Sequence, residues 1–398
     1  MSTEVPPPPS ISRVLLLLAG INFAASLFVR LADPIVPSVA ADFAVDVDTA
    51  ALLGTAFALP FALMQPILGP LGDLVGKTRV ITACVAVLGL SAVAAALAPN
   101  FPMLLAARIL AGMAGAGIFP VSIALLGDMV PMQSRQIAIA RILIGSIGGL
   151  LTGAMASGIL ADLVGWRGVF VAAGTAMVFA FAGTAFGLRK VPVRRAERVD
   201  LVAAFANYRQ VFSNPRAKVC YGAVFTEGAA LFGIFPYVAY LLSLTGEPRA
   251  GIAGLVIGAF AAGGLLYSVT VGTLIKLFGQ RRIMIGGGLI AGLSLVIEAT
   301  LPHWPVQFAT MAAMGFGFFL LHASIQVQMT ELAPTARGTA VSMHSFSYFL
   351  GQALGPVLYS VGFAAVGPSA TLVAGGIVMV LVGFTVARLL HGAGRKDA

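Results

Sequence analysis

Residues 69–98 read GPLGDLVGKTRVITACVAVLGLSAVAAALA, a glycine-rich polar turn followed by twenty residues, 79–98, whose only charge is Arg79 at their start. Twenty helical residues rise about 30 Å, the thickness of a bilayer's hydrocarbon core. Eleven further apolar runs of similar length surround this one. Five lie at 14–36, 50–69, 102–124, 136–161 and 166–188, and six at 218–243, 250–275, 282–301, 305–328, 338–362 and 369–390. Of 398 residues, 59% are apolar and only 10% charged, and mean hydropathy is +0.98. A soluble domain carries roughly 25% charged residues because its surface faces water, so a soluble protein with one large core is excluded. The pattern predicts an all-α polytopic membrane protein with twelve transmembrane helices, arranged as two pseudo-symmetric six-helix bundles over 13–188 and 218–390.

The polar stretch 189–217 separates the two sets and carries most of a basic linker, from Arg189 and Lys190 to Arg209 and Arg216. Val199, Val202, Phe205 and Phe212 recur in it at near-helical spacing, which predicts a short amphipathic helix on the membrane surface. With both ends cytoplasmic, 20 of the 24 Lys and Arg fall on the cytoplasmic side, against Arg167 and Arg249 outside and Arg30 and Arg108 within helices. That asymmetry orients the chain and accounts for the net charge of +9 without a nucleic-acid partner. Residues 1–12, with the run Pro6 to Pro9, are expected to form a disordered cytoplasmic tail rather than a cleaved signal peptide, and 391–398 a second tail. Cys84 and Cys220 lie in or beside apolar runs, so neither a disulfide framework nor a metal site is expected.

The halves repeat at an offset of about 203. Gly69, Asp73, Gly76 and Arg79 recur as Gly272, Lys276, Gly279 and Arg282. Asp128, Pro131 and Arg135 recur as Glu331, Pro334 and Arg337, and Gly149-x3-Gly153 as Gly351-x3-Gly355. Repeated halves are how many transporters build alternating access around a midplane site.

The segment Gly69-Pro-Leu-Gly-Asp73-Leu-Val-Gly76-Lys77-Thr-Arg79 resembles the loop between helices 2 and 3 of the major facilitator superfamily, although Leu74 stands where Arg is common. The resemblance covers roughly residues 12–390 and is nearest the bacterial twelve-span drug:proton antiporter branch, including sugar-efflux-like permeases. It implies that Gly69, Asp73, Gly76, Lys77 and Arg79 act as a cytoplasmic conformational latch. It also implies that Arg108, followed by Gly112, Gly115 and Gly117, takes part in proton coupling. The stripe containing Gly149 and Gly153 is similar to the antiporter motif of helix 5, with Ala154 in place of its proline. The second half keeps the pair as Gly355-Pro356 after Gly351, and plain helix packing is an equal reading of both stripes.

Several polar residues fall inside apolar runs, where they are costly unless paired or hydrated. Arg30 and Asp33, three apart, share a helical face and can pair. Glu227 lies near the middle of its run among apolar neighbours, the place for a carboxylate that gains and loses a proton. Glu227, Arg108 and Asp33 are therefore candidates for proton coupling. Candidates for substrate binding are Arg30, Phe232, Tyr237, His322, Gln326, His344, Tyr348 and Gln352, and the histidines could also relay protons. Glu298 is expected at the outer interface. The absence of a phosphate-cradling Gly-Lys-Ser/Thr loop argues against ATP-driven transport, and no cofactor or metal is expected.

The reading is a secondary transporter, not an enzyme, in a bacterial inner membrane. It would export a small organic compound by proton antiport and function as a monomer among lipid, substrate and protons. The alternative is a proton symporter or facilitator importing an organic acid. A membrane enzyme or receptor fits less well, because clustered surface His, Asp or Ser and a sizeable soluble domain are both lacking.

Overall fold

The computed structural model describes residues 11–130, 132–189, 191, 208–330, 332 and 337–390. Ile11 and Ser12, expected to belong to the disordered first tail, are helical; the rest of that tail, the second tail, most of the linker and its surface helix, and Pro131, Glu331 and Pro334 of the repeat lie outside the described residues. Residues 208–213 are helical.

The helices are α1 (Ile11–Arg30), α2 (Val36–Phe43), α3 (Val47–Val75), α4 (Lys77–Ala96), α5 (Phe101–Met129) and α6 (Met132–Ala182), then α7 (Arg216–Phe232), α8 (Val238–Leu244), α9 (Ala250–Glu298), α10 (Trp304–Thr330) and α11 (Arg337–Leu389). Nine stretches among the described residues are long and apolar enough to cross a membrane. Three of them, Arg141–Gly187, Ala250–Glu298 and Thr339–Leu389, run to 47, 49 and 51 residues, over twice the length one crossing needs. Each contains one glycine at positive φ: Gly165 at 76°, Gly279 at 73° and Gly367 at 82°. Gly76, at 109°, separates α3 from α4. A side chain is strained in that region, so glycine lets the chain turn sharply with almost no loop.

Two apolar runs are broken where the sequence suggests continuous helices. The first leaves α1 at Arg30, makes a 3-10 turn over Asp33–Ile35 and resumes as α2. Its counterpart leaves α7 at Phe232, turns over Phe235–Tyr237 and resumes as α8. Pro34 and Pro236 explain both breaks, since proline supplies no N–H to the preceding helical turn and crowds its carbonyl.

Within the first half α1 packs on α6, and α5 on α3 and α4. Within the second, α11 packs on α7 and α9 on α10. A Cβ on Gly149 of α6 would sit 2.0 Å from the Phe23 carbonyl oxygen of α1, and one on Gly351 of α11 would sit 2.1 Å from that of Phe225 in α7. Both glycine stripes therefore set backbone-to-backbone contact. Asp46 caps α3 by accepting from the Thr49 N–H, a bond that holds its carboxyl below the usual carboxylate range. Glu298, the last residue of α9, is buried and accepts from the Thr310 hydroxyl, because α10 folds back over the end of α9 and covers it.

Candidate functional site

The halves meet along α3 against α11 and α6 against α9. Near the middle of the first seam the Thr55 hydroxyl donates to the Ala353 carbonyl at 2.7 Å, and the rings of Phe61 and Phe349 lie 4.3 Å apart. The broken helices bring their ends to this seam.

Arg30, the last residue of α1, is buried there. Its Nη1 lies 3.4 Å from Asp33 Oδ2, as the spacing of three suggests. Its Nη2 donates across the seam to Gln352 Oε1 at 2.5 Å. The guanidinium also stands 4.6 and 4.7 Å from the rings of Phe232 and Phe235, at the broken end of α7. A desolvated cation gains about 2 kcal/mol from such a ring contact. A cavity of about 10 Å³ remains between Arg30, Asp33, Gly54, Phe57, Phe349 and Gln352, room for about one water.

Phe232 leads from Arg30 to a second cluster. Its ring is 5.4 Å from Tyr348, which is 5.0 Å from His322. His322 Nδ1 lies 2.8 Å from Glu227 Oε2, linking α10 to α7. His322 also stacks on Phe318 at 4.6 Å and stands 4.7 Å from the ring of His344 in α11. Glu227 is fully buried, and its Oε1 and the Nε2 of His344 have no hydrogen-bond partner in the structure. Three titratable side chains from three helices thus form one contiguous path, with free hydrogen-bonding capacity at both ends. A proton added to Glu227 cancels its charge, and the adjoining imidazole can accept or donate it. Among the described residues no set of three His, Cys, Asp or Glu could hold a metal ion.

Arg108 is 1% exposed and joins neither cluster directly. It donates from Nε to the Leu53 carbonyl at 3.3 Å and from Nη1 to that of Phe28 at 3.1 Å, with its guanidinium 4.6 Å from the Phe57 ring. It therefore ties α5 to α3 and to the broken end of α1. Asp33 is near enough to interact with it electrostatically.

Tyr237 lies beside the start of α3, donating its hydroxyl to Asp48 Oδ1 at 3.0 Å, with the Pro356 carbonyl 3.1 Å away. Gln326 is exposed, outside the buried cluster. In the polar turn, Lys77 Nζ bridges Asp73 at 2.7 Å and Asp128 at 2.8 Å, all within the first half. Gly69 is helical backbone, Gly76 supplies the turn and Arg79 opens the next helix at its exposed surface. Phe318 and Phe349 were not singled out from sequence. Aromatic residues are common in apolar helices, so only their convergence marks them.

The family model described as Major Facilitator Superfamily matches residues 18–252 and 239–397. The chain is 26% identical to the MFS-type transporter YfhI of Bacillus subtilis, over 98% of this chain and 96% of the relative. It is 24% identical to the inner membrane transport protein YnfM of Escherichia coli K12, over 96% and 92%. It is 28% identical to the multidrug resistance protein MdtG of Escherichia coli, over 68% and 66%. Among solved structures it is similar to a bacterial homologue of the human lysosomal transporter Spinster in an inward-facing, unoccupied conformation. That likeness has a TM-score of 0.70 at 19% identity, over 94% of this chain and 95% of the other.

Proposed function

Since the chain belongs to the Major Facilitator Superfamily, we propose that this membrane-spanning transporter exports a small organic compound in exchange for protons. Twelve helices in two six-helix halves alternate access between the two sides, with both termini cytoplasmic, in a bacterial inner membrane. The carrying observation is the Glu227–His322–His344 cluster, buried beside the seam between the halves and linked by aromatic rings to Arg30, which itself bonds across the seam.

An ionised carboxylate in an apolar interior is costly, so the occupancy of Glu227 by a proton biases which packing of the seam is favoured. Protonated, Glu227 needs no counter-charge, and the C-terminal half can repack around it. Deprotonated, it calls for water or a cationic or polar group of the substrate. Glu227 is therefore the proton carrier, with His322 and His344 passing the proton on. Arg30, Asp33 and Gln352 respond across the seam, and Phe232, Tyr348, Phe318 and Phe349 supply apolar surface for an amphipathic ligand. Arg108 contributes by fixing the broken helix that carries Arg30 and Asp33. Its donors go to backbone carbonyls, which favours export over the organic-acid import that two free arginines would suit. The relative named as a multidrug resistance protein is consistent with a drug-like compound.

The test is transport by the purified protein in proteoliposomes, reading lumenal pH as drug-like, sugar-like and acidic compounds are added. Proton movement opposite to the substrate is expected. Movement in the same direction would replace export by symport.

A further inference from the structure

The polar turn after α3 has a second copy on the opposite side of the molecule. Gly69-Pro-Leu-Gly-Asp73-Leu-Val-Gly76 and Gly158-Ile-Leu-Ala-Asp162-Leu-Val-Gly165 agree at six of eight positions. Both end on a glycine at positive φ. They lie 89 residues apart, three apolar runs, so they face opposite ends of the bundle. This is the sequence form of an inverted repeat within one half.

The two copies differ in what their carboxylates do. Asp73 is half exposed and held by Lys77 of its own half. Asp162 reaches into the other half: its Oδ1 accepts from the Ala250 N–H at 3.0 Å and its Oδ2 from the Gly251 N–H at 2.7 Å. These are the first two residues of α9, whose own N-cap, Arg249, makes no side-chain capping bond. A carboxylate that satisfies two orphan donors at a helix N-terminus also meets the positive end of the helix dipole. Just below it the helices touch backbone to backbone. A Cβ on Gly158 would fall 2.2 Å from the Ala250 carbonyl oxygen, and one on Gly254 2.5 Å from that of Ala154.

We propose that Asp162 is the outer latch of the transport cycle: its carboxylate caps α9 across the two halves and holds the extracellular side shut. The latch breaks when the halves rock apart on that side, freeing both N–H groups to water. Asp73 is its inverted counterpart, disengaged in this state. A device of this kind shifts the conformational equilibrium without touching substrate or proton, and it stands or falls independently of the exchange mechanism.

The test uses full-length protein with Cys84→Ser and Cys220→Ser, and Met155→Cys as reporter. Met155 sits on α6 beneath the latch, in the space where a Cβ on Gly258 of α9 would meet it. Its labelling rate by a charged maleimide, measured without substrate, reads the fraction of molecules open on the outer side. Asp162→Ala should raise that rate between about twofold and thirtyfold, the range for loss of a helix cap, and Asp162→Asn by less, because an amide oxygen still accepts one N–H. Gly251→Ala supplies a second route, since its Cβ would sit 2.8 Å from Asp162 Oδ2 and displace it. Asp73→Ala should not raise the rate. Unchanged labelling in both Asp162→Ala and Gly251→Ala, or an equal rise with Asp73→Ala, overturns the proposal.

Discussion

Gly149→Ala adds one methyl group to α6, and the structure specifies what that methyl meets. The new Cβ would lie 2.0 Å from the Phe23 carbonyl oxygen and 2.8 Å from its carbon. Ordinary contact begins at 3.4 Å, so α1 and α6 must separate by about 3.4 − 2.0 = 1.4 Å at this point. Backbone cannot swing aside as a side chain can, and the same stripe carries Gly145 and Gly153 at similarly close approach. Overpacking of this kind costs about 1–3 kcal/mol. The neighbouring Gly148 is the internal control, because its Cβ would lie 3.5 Å from the Phe23 ring, an ordinary contact. Both changes bring the same gain in helix propensity, so their difference isolates the clash. Cys84 and Cys220 are free and buried, so a thiol-reactive dye reports unfolding directly. Gly149→Ala should lower the melting temperature by several degrees while Gly148→Ala leaves it unchanged or raises it slightly. Equal melting temperatures for the two variants would refute close backbone packing as the purpose of the stripe.

Further expectations follow from the site. Arg108→Lys keeps the charge but cannot reach both the Leu53 and Phe28 carbonyls, each worth about 1.5–3 kcal/mol as a partner of a charged donor. Stability in the dye assay should fall, and transport should fall at least about tenfold, whereas a mere surface cation would tolerate the swap. Asp46→Ala should speed hydrogen exchange in the first turn of α3, at Val47 to Ala50. The depressed titration of Asp46 means that its capping contribution is complete above about pH 4 and is lost as pH falls further. The protection of these amides, taken relative to their intrinsic exchange rate at each pH, should fall below that pH in the wild type and show no such step in the variant. His344→Asn should slow proton-coupled transport while leaving substrate-for-substrate exchange intact, and equal slowing of both would assign His344 to the substrate instead.

The apolar runs made the all-helical fold legible, because a crossing helix cannot hide its composition. The chain breaks were only partly so. Pro34 and Pro236 stood in view, yet proline bends a membrane helix as readily as it interrupts one, and only the backbone distinguishes a 3-10 turn from a kink. Residues 30, 33, 227, 322 and 344 stood out one by one because charge and imidazole are rare in apolar runs. What no run reveals is who meets whom: Glu227 and His322 are 95 residues apart, Arg30 and Gln352 are 322 apart. Glu298 showed the opposite limit, since its burial depends on a neighbouring helix. Asp162 was readable in principle, by comparing the polar turn with the chain at an offset of 89 as well as 203.

The central claim is that Glu227 carries the coupled proton, and the most direct measurement is Glu227→Gln in proteoliposomes, assayed in two modes. Glutamine keeps the shape and a bond to His322 but cannot titrate. The account predicts that transport driven by a pH gradient is abolished while substrate-for-substrate exchange, which needs no net proton movement, continues near the wild-type rate. Gradient-driven transport at the wild-type level in Glu227→Gln would contradict it.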